Sequence, residues 1–244
     1  MTDEKKDSNN LSFCIIVPMY NEQSNVALCV KTICDFIGEI NNKCELLVID
    51  DGSKDKTSKK LADLKYIYKK LTVITHKNNL GYGAANVTGI QYAYKNNYKY
   101  VLFMDSDLTQ DIKYIFNFID LMNKNIDFIK ATRYSKGGGA EGVPLFRKLV
   151  SKIGNLVAKM FLKLPITDYT NGFRAIKTNL VADIKQEENG FAYLIEEVNK
   201  ISKRANSFGE VPYMLSVRDS SISKSKFSYS IDVYLSYLKW VFKK

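Results

Sequence analysis

Long apolar runs are missing from this sequence of 244 residues. No stretch approaches the roughly 18 apolar residues that a membrane-spanning helix needs, so we expect no such helix. Cysteine is scarce, with four residues and no C-x-x-C pair. This scarcity disfavours a disulfide framework and a zinc site, and it suits reduced thiols in a cytosolic protein. The charged first ten residues, MTDEKKDSNN, lack the apolar core of a signal peptide, so we expect a short disordered tail there.

Histidine and, in one region, acidic residues are also scarce. His76 is the single histidine; it follows a short apolar run, and we interpret it as structural rather than catalytic. Between Lys130 and Lys177, ten Lys or Arg stand against Glu141 and Asp168, within a formal net charge of +10. This segment predicts an anionic partner, which can be phosphate, nucleic acid or an acidic membrane surface. A solvated lysine face is the alternative.

Apolar runs of strand length alternate with helical spacing through the first half of the chain. Runs that are apolar on both faces suit parallel strands covered by helices, so we predict an α/β fold with a Rossmann-like, mostly parallel sheet. In such sheets ligands bind beyond the carboxyl ends of the strands, where three polar clusters follow three of these runs. The strand candidates are 13–17, 46–49, 71–74, 101–104 and 128–129, the helix candidates 26–37 and 85–93, and the polar clusters 18–22, 50–53 and 105–107.

The second half of the sequence has a different character. The glycines at 137–139 indicate a loop or hinge. An apolar stripe over 145–164, interrupted by Lys and Arg, predicts a basic amphipathic helix. A core helix with its lysines turned outward is the alternative. The aromatic and basic stretch 234–244 either docks on the domain or lies at a membrane interface, where Trp, Tyr and Lys are favoured.

Two carboxylates, Asp105 and Asp107, follow the run at 101–104 with only Ser106 between them. Close carboxylates repel each other, and this arrangement suits a hard divalent cation such as Mg²⁺ or Mn²⁺, which prefers oxygen ligands and substrate phosphates. The basic segment and the acidic loop at 50–51 favour a nucleotide that carries phosphates. A plain surface turn is the alternative for this pair.

Several longer motifs occur in a set order along the chain. They are IIVPMYNEQSNV, LLVIDDGSKDKT, NNLGYGAANVTGI, LFMDSDLT, ATRYSKGGG, RKLVSKIGN, DYTNGFRA and GFAYLIEE. On these motifs the sequence resembles family 2 glycosyltransferases of the glycosyltransferase-A fold, and within them the dolichyl-phosphate mannosyltransferase group. The resemblance runs from about residue 12 to 228.

The resemblance implies a site for a nucleotide-sugar donor, with the base and ribose bound by acceptor groups of Asp50 and Asp51. A late clamp over the diphosphate would consist of Arg218 and a lysine. Lys224 fits this lysine by spacing and Lys226 by local context, and both remain open. The implied donor-site residues are Pro18, Tyr20, Glu22, Asp50, Asp51, Asp105, Ser106, Asp107, Arg133, Arg218, Lys224 and Lys226.

The resemblance also implies a metal site. Asp105 and Asp107 would bind the Mg²⁺ or Mn²⁺ that bridges the diphosphate. The family often places a glutamine two residues after the second aspartate; here Gln110 stands one step later and is the candidate third ligand. Gly81 and Gly83 would let the backbone approach the ligand closely.

Acceptor binding is implied for a further set of residues: Arg147, Ser151, Asp168, Asn171 and Arg174. If the acceptor is a lipid phosphate, it is already ionised near neutral pH and needs no general base. A hydroxyl acceptor needs one, and Glu196 is the candidate that matches the family, with Asp168 next. The implied catalytic residues are Asp105, Asp107, Arg147 and Glu196.

We therefore predict an inverting, metal-dependent transferase that moves a sugar from a GDP- or UDP-sugar to a polyisoprenyl phosphate. We expect it on the cytoplasmic face of a membrane as a peripheral protein, with a membrane-protein partner as one option. One alternative is a non-processive transferase with a hydroxyl acceptor in surface polysaccharide or glycoprotein synthesis. Another is a non-catalytic nucleotide-binding or membrane-scaffold protein. We expect no nucleic-acid binding, because an acidic pocket accompanies the basic residues.

The predicted organisation is a single catalytic domain with short additions at both ends. We expect a disordered tail at 1–10 and the glycosyltransferase-A domain at 11–220. Within that domain we expect a nucleotide half at about 11–110 and an acceptor half at about 111–220. The segment 221–244 is predicted as a basic, aromatic and helical C-terminal tail, with membrane association as one option.

Overall fold

The structure is a computed structural model that describes residues 11–216 and 231–243. Nine strands are present in this part of the chain, and seven of them form the central sheet. Two short strands, β6 and β9, pair separately. The strands are β1 Ser12–Met19, β2 Lys43–Asp50, β3 Leu71–Thr75, β4 Tyr100–Phe103, β5 Phe128–Thr132, β6 Gly139–Ala140, β7 Arg174–Lys177, β8 Phe208–Pro212 and β9 Met214–Leu215.

The strand order in the sheet is β3-β2-β1-β4-β7-β5-β8. Parallel pairing joins β3, β2, β1 and β4, and it also joins β5 and β8. The predicted mostly parallel sheet is therefore confirmed, and the five predicted runs form β1 to β5. β7 lies antiparallel between β4 and β5, which was not predicted because its four residues, RAIK, are too short and mixed to stand out. Strands from both predicted halves of the domain share this one sheet.

Seven α-helices accompany the strands in the described residues, together with two 3₁₀ turns at Ile112–Tyr114 and Thr178–Leu180. The predicted helices at 26–37 and 85–93 are confirmed as α1 and α3. The helices are α1 Val26–Glu39, α2 Thr57–Ile67, α3 Tyr82–Lys95, α4 Ile115–Asn123, α5 Leu145–Leu162, α6 Tyr193–Ile201 and α7 Ile231–Phe242.

Helices cover both faces of the sheet, as the doubly apolar strands predict. Successive side chains of a strand point to opposite faces. Along β1, Phe13 and Ile15 join a core cluster with α1, α2 and α4. Cys14 and Ile16 join a second cluster with α3, α6 and α7. The four cysteines are all buried as separate thiols.

Helix α5 carries its apolar residues on the outside. Leu145 is 83% exposed and Leu156 is 66% exposed, whereas the two buried residues of the helix are Asn155 and Ala158. The predicted amphipathic helix is present, and the alternative of a core helix with lysines outward does not hold. No helix in the part of the chain that the structure describes is long and apolar enough to cross a membrane.

A buried ion pair ties β7 to α6. Arg174 donates from Nε and Nη2 to the carboxylate of Glu197, with Nη2 2.8 Å from Oε1. The guanidinium lies 3.9 Å from the ring centroid of Phe103, and Nη1 donates to the carbonyl of Gly172 at 2.8 Å. Burial alone would lower the pKa of Arg174, but Glu197 raises it above its ordinary value. The guanidinium of Arg174 therefore stays charged inside the fold.

We expect Glu197→Gln to lower the free energy of unfolding by about 3–5 kcal/mol, because it leaves the guanidinium of Arg174 buried without its counter-charge. Urea unfolding followed by circular dichroism measures this. Asp35→Asn is the control, since it breaks the exposed Lys31–Asp35 pair and should change nothing measurable. Equal stability of Glu197→Gln and the wild type would contradict the assigned role of the pair.

Candidate active site

A cavity of about 1540 Å³ opens at the carboxyl ends of β1, β2 and β4. This is the sheet edge at which the sequence predicts a ligand. Residues from all three predicted polar clusters share its wall. The predicted site residues that line it are Pro18, Tyr20, Glu22, Asp51, Asp105, Ser106, Asp107, Gln110, Arg133, Arg147, Ser151 and Asn171.

The carboxylate pair is held by its neighbours in the chain. Gln110 donates from Nε2 to Oδ2 of Asp105 at 2.7 Å, and its Oε1 accepts from the backbone N–H of Asp105 at 2.9 Å. The hydroxyl and backbone N–H of Thr109 donate to Oδ1 of Asp107 at 2.8 and 3.1 Å. Gln110 is thus placed to orient Asp105. Its predicted role as a direct ligand of the metal stays a prediction.

The donor set fits Mg²⁺ or Mn²⁺, because both aspartates offer oxygen ligands in one cavity. Within residues 11–216 and 231–243 no group of three or more His, Cys, Asp or Glu side chains gathers to hold a metal. Phosphate oxygens of a substrate, together with waters, would complete the coordination, which is the usual arrangement for Mg²⁺. Gly172 packs closely here, since a Cβ at that position would lie 3.3 Å from Oδ1 of Asp105.

Asp50 and Asp51 have different surroundings. Asp51 lines the cavity and accepts from the backbone N–H groups of Leu80 and Gly81 at 2.9 and 2.8 Å. Nδ1 of His76 lies 2.7 Å from Oδ1 of Asp51, so the single histidine supports this carboxylate. Asp50 is fully buried behind the cavity wall and bonds to the turn that leads into α2. Its predicted contact with the nucleotide remains a prediction.

The glycine loop, residues 80–83, includes the first two residues of α3 and is packed against the protein itself. The N–H of Gly83 donates to the carbonyl of Asn189 at 2.8 Å, and a Cβ on Gly83 would lie 2.2 Å from the carbonyl oxygen of Glu188. The resemblance predicts that Gly81 and Gly83 let the backbone approach a ligand closely, and this role stays a prediction. Gly81 lines the cavity, whereas the space beside Gly83 is filled by the segment 186–189.

Aromatic residues that the prediction missed complete the wall. Tyr82 and Phe191 stack with ring centroids 4.9 Å apart, and both line the cavity. Burial raises the pKa of Tyr82 to about 12, so its hydroxyl stays protonated. Tyr234 and Tyr237 of α7 also line the cavity. The motif GFAYLIEE contains Phe191, but only its glutamate was singled out.

Arg133 and Asp168 form a buried fork. Nε and Nη2 of Arg133 donate to the two carboxylate oxygens of Asp168 at 2.7 and 2.9 Å. Beneath them, Lys130 donates to the carbonyl of Asn171 at 2.6 Å. Burial, assisted by the nearby Arg174, lowers the pKa of Lys130 to about 7. The predicted acceptor loop is therefore anchored from below by these side chains, and Asn171 is the predicted acceptor residue of this loop that lines the cavity.

Four predicted site residues do not line the cavity: Asp50, Asp168, Arg174 and Glu196. Glu196, the candidate base, is fully buried. It accepts from the backbone N–H groups of Glu187 and Glu188 at 2.7 and 2.8 Å and pairs with Lys200 at 2.6 Å. Through these contacts Glu196 holds the loop that contains Glu187 and Glu188. Arg218, Lys224 and Lys226 lie outside the described residues.

The family described as "Glycosyl transferase family 2" matches residues 14–185. The chain belongs to glycosyl transferase family 2. The matched range includes the three strand ends that form the cavity and both aspartates of the pair. The resemblance on which the prediction of fold and chemistry was based is therefore confirmed, and the protein is a glycosyltransferase.

Two curated relatives of this glycosyltransferase carry names for lipid-linked sugars. The polyprenol monophosphomannose synthase of Mycolicibacterium smegmatis is 25% identical over 93% of this chain and 85% of the relative. The dolichol-phosphate mannosyltransferase of Pyrococcus furiosus is 29% identical over 93% of this chain. The chain spans 63% of the length of the Pyrococcus relative.

Solved structures resemble the glycosyltransferase in fold. A glucosyl-3-phosphoglycerate synthase from Mycobacterium tuberculosis, crystallised with Mn²⁺, UDP-glucose and phosphoglyceric acid, superposes with a TM-score of 0.63 at 17% identity. The match covers 95% of this chain and 80% of that one. The same enzyme has also been crystallised with Mg²⁺ and UDP. The predicted glycosyltransferase-A fold is confirmed.

The Arg133–Asp168 pair predicts an acid-sensitive part of the stability. Burial alone would raise the pKa of Asp168, but Arg133 lowers it below its ordinary value. Such a carboxylate stabilises the fold above its unfolded pKa of about 3.9, and this contribution is lost as the pH falls through the lower folded value. We expect Asp168→Asn to be less stable than the wild type at pH 7, with the difference shrinking below about pH 4.

Urea unfolding at a series of pH values measures this difference. Thr170→Val is the control, because it removes a hydroxyl that contacts Arg133 and Asp168 without changing a charge. It should keep the pH dependence of the wild type. A stability difference for Asp168→Asn that stays constant from pH 7 to pH 3 would show that the pair makes no charge-dependent contribution.

Proposed function

We propose that this glycosyltransferase transfers a sugar from a nucleoside-diphosphate sugar to a polyprenyl phosphate, with a divalent metal and with inversion at the anomeric carbon. The names of the two curated relatives support a polyprenyl phosphate as the acceptor. The carboxylate pair in the cavity supports a metal-bound diphosphate donor.

The observation that most strongly supports a lipid as the acceptor is the position of α5. Leu145, Phe146 and Leu149 line the cavity and are also largely exposed to the outside. A contiguous exposed apolar surface marks an interaction site in a monomeric protein. Here the apolar surface runs into the cavity beside Arg147, which suits a molecule with a phosphate head and a hydrocarbon tail.

In the proposed reaction an oxygen of the acceptor phosphate attacks C1 of the sugar, and the bond from C1 to the diphosphate oxygen breaks. Asp105 and Asp107 would hold the metal, whose charge stabilises the departing diphosphate. A lipid phosphate is already ionised at neutral pH, so the attacking oxygen has no proton to lose. This agrees with the placement of Glu196 and Asp168, the candidate bases, outside the cavity wall.

The same helix supports peripheral membrane binding. The exposed apolar residues of α5 alternate with Arg147, Lys152 and Lys159, the pattern of a helix that lies in an anionic membrane interface. Exposed apolar side chains of α7, Leu235 and Phe242, add to this surface. A phosphate acceptor anchored in the bilayer would then meet the cavity at the membrane surface.

Removing either aspartate should abolish transfer. With a polyprenyl phosphate, Mn²⁺ or Mg²⁺ and a panel of labelled GDP- and UDP-sugars, we expect Asp105→Asn and Asp107→Asn to lower the rate about a hundredfold or more, because the metal site loses a charged ligand. Extraction of labelled product into an organic phase measures the transfer. Asp111→Asn is the control, since Asp111 is a nearby partly exposed acid that pairs with Lys113.

Transfer by the wild type to a soluble hydroxyl acceptor, with none to the lipid phosphate, would overturn the proposed acceptor class. Transfer that is equally fast in EDTA would overturn the proposed metal.

Membrane binding is tested separately with the double variant Ile153→Gln, Leu156→Gln. Both side chains are more than half exposed on α5. We expect co-sedimentation with anionic phospholipid vesicles to fall at least about tenfold, because two apolar side chains no longer enter the interface. Leu28→Gln, a similarly exposed leucine on α1, should leave vesicle binding unchanged. An equal loss of vesicle binding in the double variant and in Leu28→Gln would contradict a specific membrane-binding surface on α5.

A further inference from the structure

Helix α7 is attached to the domain through several side chains, including the single tryptophan and Tyr237, whose hydroxyl donates to the carbonyl of Gly154 at 3.1 Å. Trp240 is completely buried, and its Nε1–H donates to Oε1 of Glu188 at 2.8 Å. Asn199 on α6 donates from Nδ2 to the carbonyls of Trp240 and Lys243 at 2.9 and 2.7 Å. These bonds fix the end of α7, whose unpaired carbonyls need partners.

Glu188 belongs to a segment at 186–192 that carries part of the cavity wall. Backbone N–H groups of this segment are held by the buried carboxylate of Glu196. Its other side packs on the glycine loop, where Asn189 accepts from Gly83 at 2.8 Å. Phe191 in the segment stacks on Tyr82 and lines the cavity. The segment is therefore fixed from behind and presents its front to the ligand space.

The contacts form one continuous chain from α7 to the cavity. Trp240 donates a hydrogen bond to Glu188, and the neighbouring Asn189 accepts one from the N–H of Gly83. Just before Gly83, the N–H groups of Leu80 and Gly81 donate to Asp51. The charges around the indole also favour this arrangement. Lys200 and Lys243 lie 4.8 and 4.1 Å from the Trp240 ring centroids.

We propose that Trp240 is a positioning residue for the cavity wall, acting through its hydrogen bond to Glu188. In this role the docked end of α7 keeps the segment 186–192 in contact with the glycine loop of the donor site. A link of this kind changes ligand binding through the placement of Phe191 and Asp51, without touching the ligand. The structural part of this inference stands by itself, and only its effect on nucleotide binding rests on the proposed function.

The first test is hydrogen exchange, followed by mass spectrometry, in the full chain without ligand. Trp240→Phe keeps an aromatic ring and removes the Nε1–H donor. We expect peptides that cover 186–192 and 80–84 to exchange about tenfold faster, as loss of a hydrogen bond to a charged group implies. Glu188→Ala should have the same effect, and Glu188→Gln, which keeps an acceptor oxygen, should restore slow exchange.

Two controls separate local from global effects. Leu235→Ala changes an exposed side chain of the same helix and should leave exchange at 186–192 as in the wild type. Peptides of β1, in the centre of the sheet, should exchange at the wild-type rate in all variants. Unchanged exchange at 186–192 in Trp240→Phe, or an equal acceleration in β1, would overturn the positioning role.

The second test measures the binding of GDP and of UDP, each with Mn²⁺, by calorimetry. We expect Trp240→Phe and Glu188→Ala to weaken binding about threefold or more, with Glu188→Gln close to the wild type and the double variant no worse than either single one. If the wild type binds neither nucleotide, the proposed function fails and the exchange result alone decides the inference. If binding is normal in Trp240→Phe, the link to the donor site is overturned.

Discussion

Two carboxylates separated by a single residue at the end of a buried strand are the feature on which the rest of this structure depends. Asp105 and Asp107 repel each other, so their positions must be fixed from outside. Gln110 and Thr109 do this by hydrogen bonds, and the backbone at Gly172 packs directly against Asp105. Behind that loop lie buried charges that are themselves paired. A cation and a diphosphate are the natural partners for such a preorganised pair.

The parts of the fold that follow local rules could be predicted from the sequence. The apolar runs became β1 to β5, and the polar clusters after them met in one cavity, because the carboxyl ends of parallel strands share one edge. Features that depend on distant partners could not be predicted. The sequence gives no sign that Asp50 is buried while Asp51 faces the cavity, or that Arg133 is paired with Asp168. Likewise, an apolar stripe on α5 has the same pattern whether it faces the core or the outside.

Elements from the second half of the chain form two further parts of the cavity wall. The segment 186–192 packs on Gly81 and Gly83, whereas α5 and α7 form the part with the exposed apolar surface. The family 2 match covers residues 14–185, which include both the carboxylate pair and α5. The α5 side of the cavity differs from the rest of its wall in the exposure of its large apolar residues. Asn155 and Ala158 of α5 pack inward, whereas large apolar residues such as Leu145, Leu156 and Met160 remain exposed.

The most direct measurement of the central claim is anomalous scattering at the manganese edge, from crystals grown with Mn²⁺ and either UDP or GDP. The account predicts one strong peak between the carboxylates of Asp105 and Asp107 and the diphosphate of the nucleotide. A nucleotide bound in the cavity with no manganese at these two carboxylates, or manganese bound only elsewhere, would contradict it.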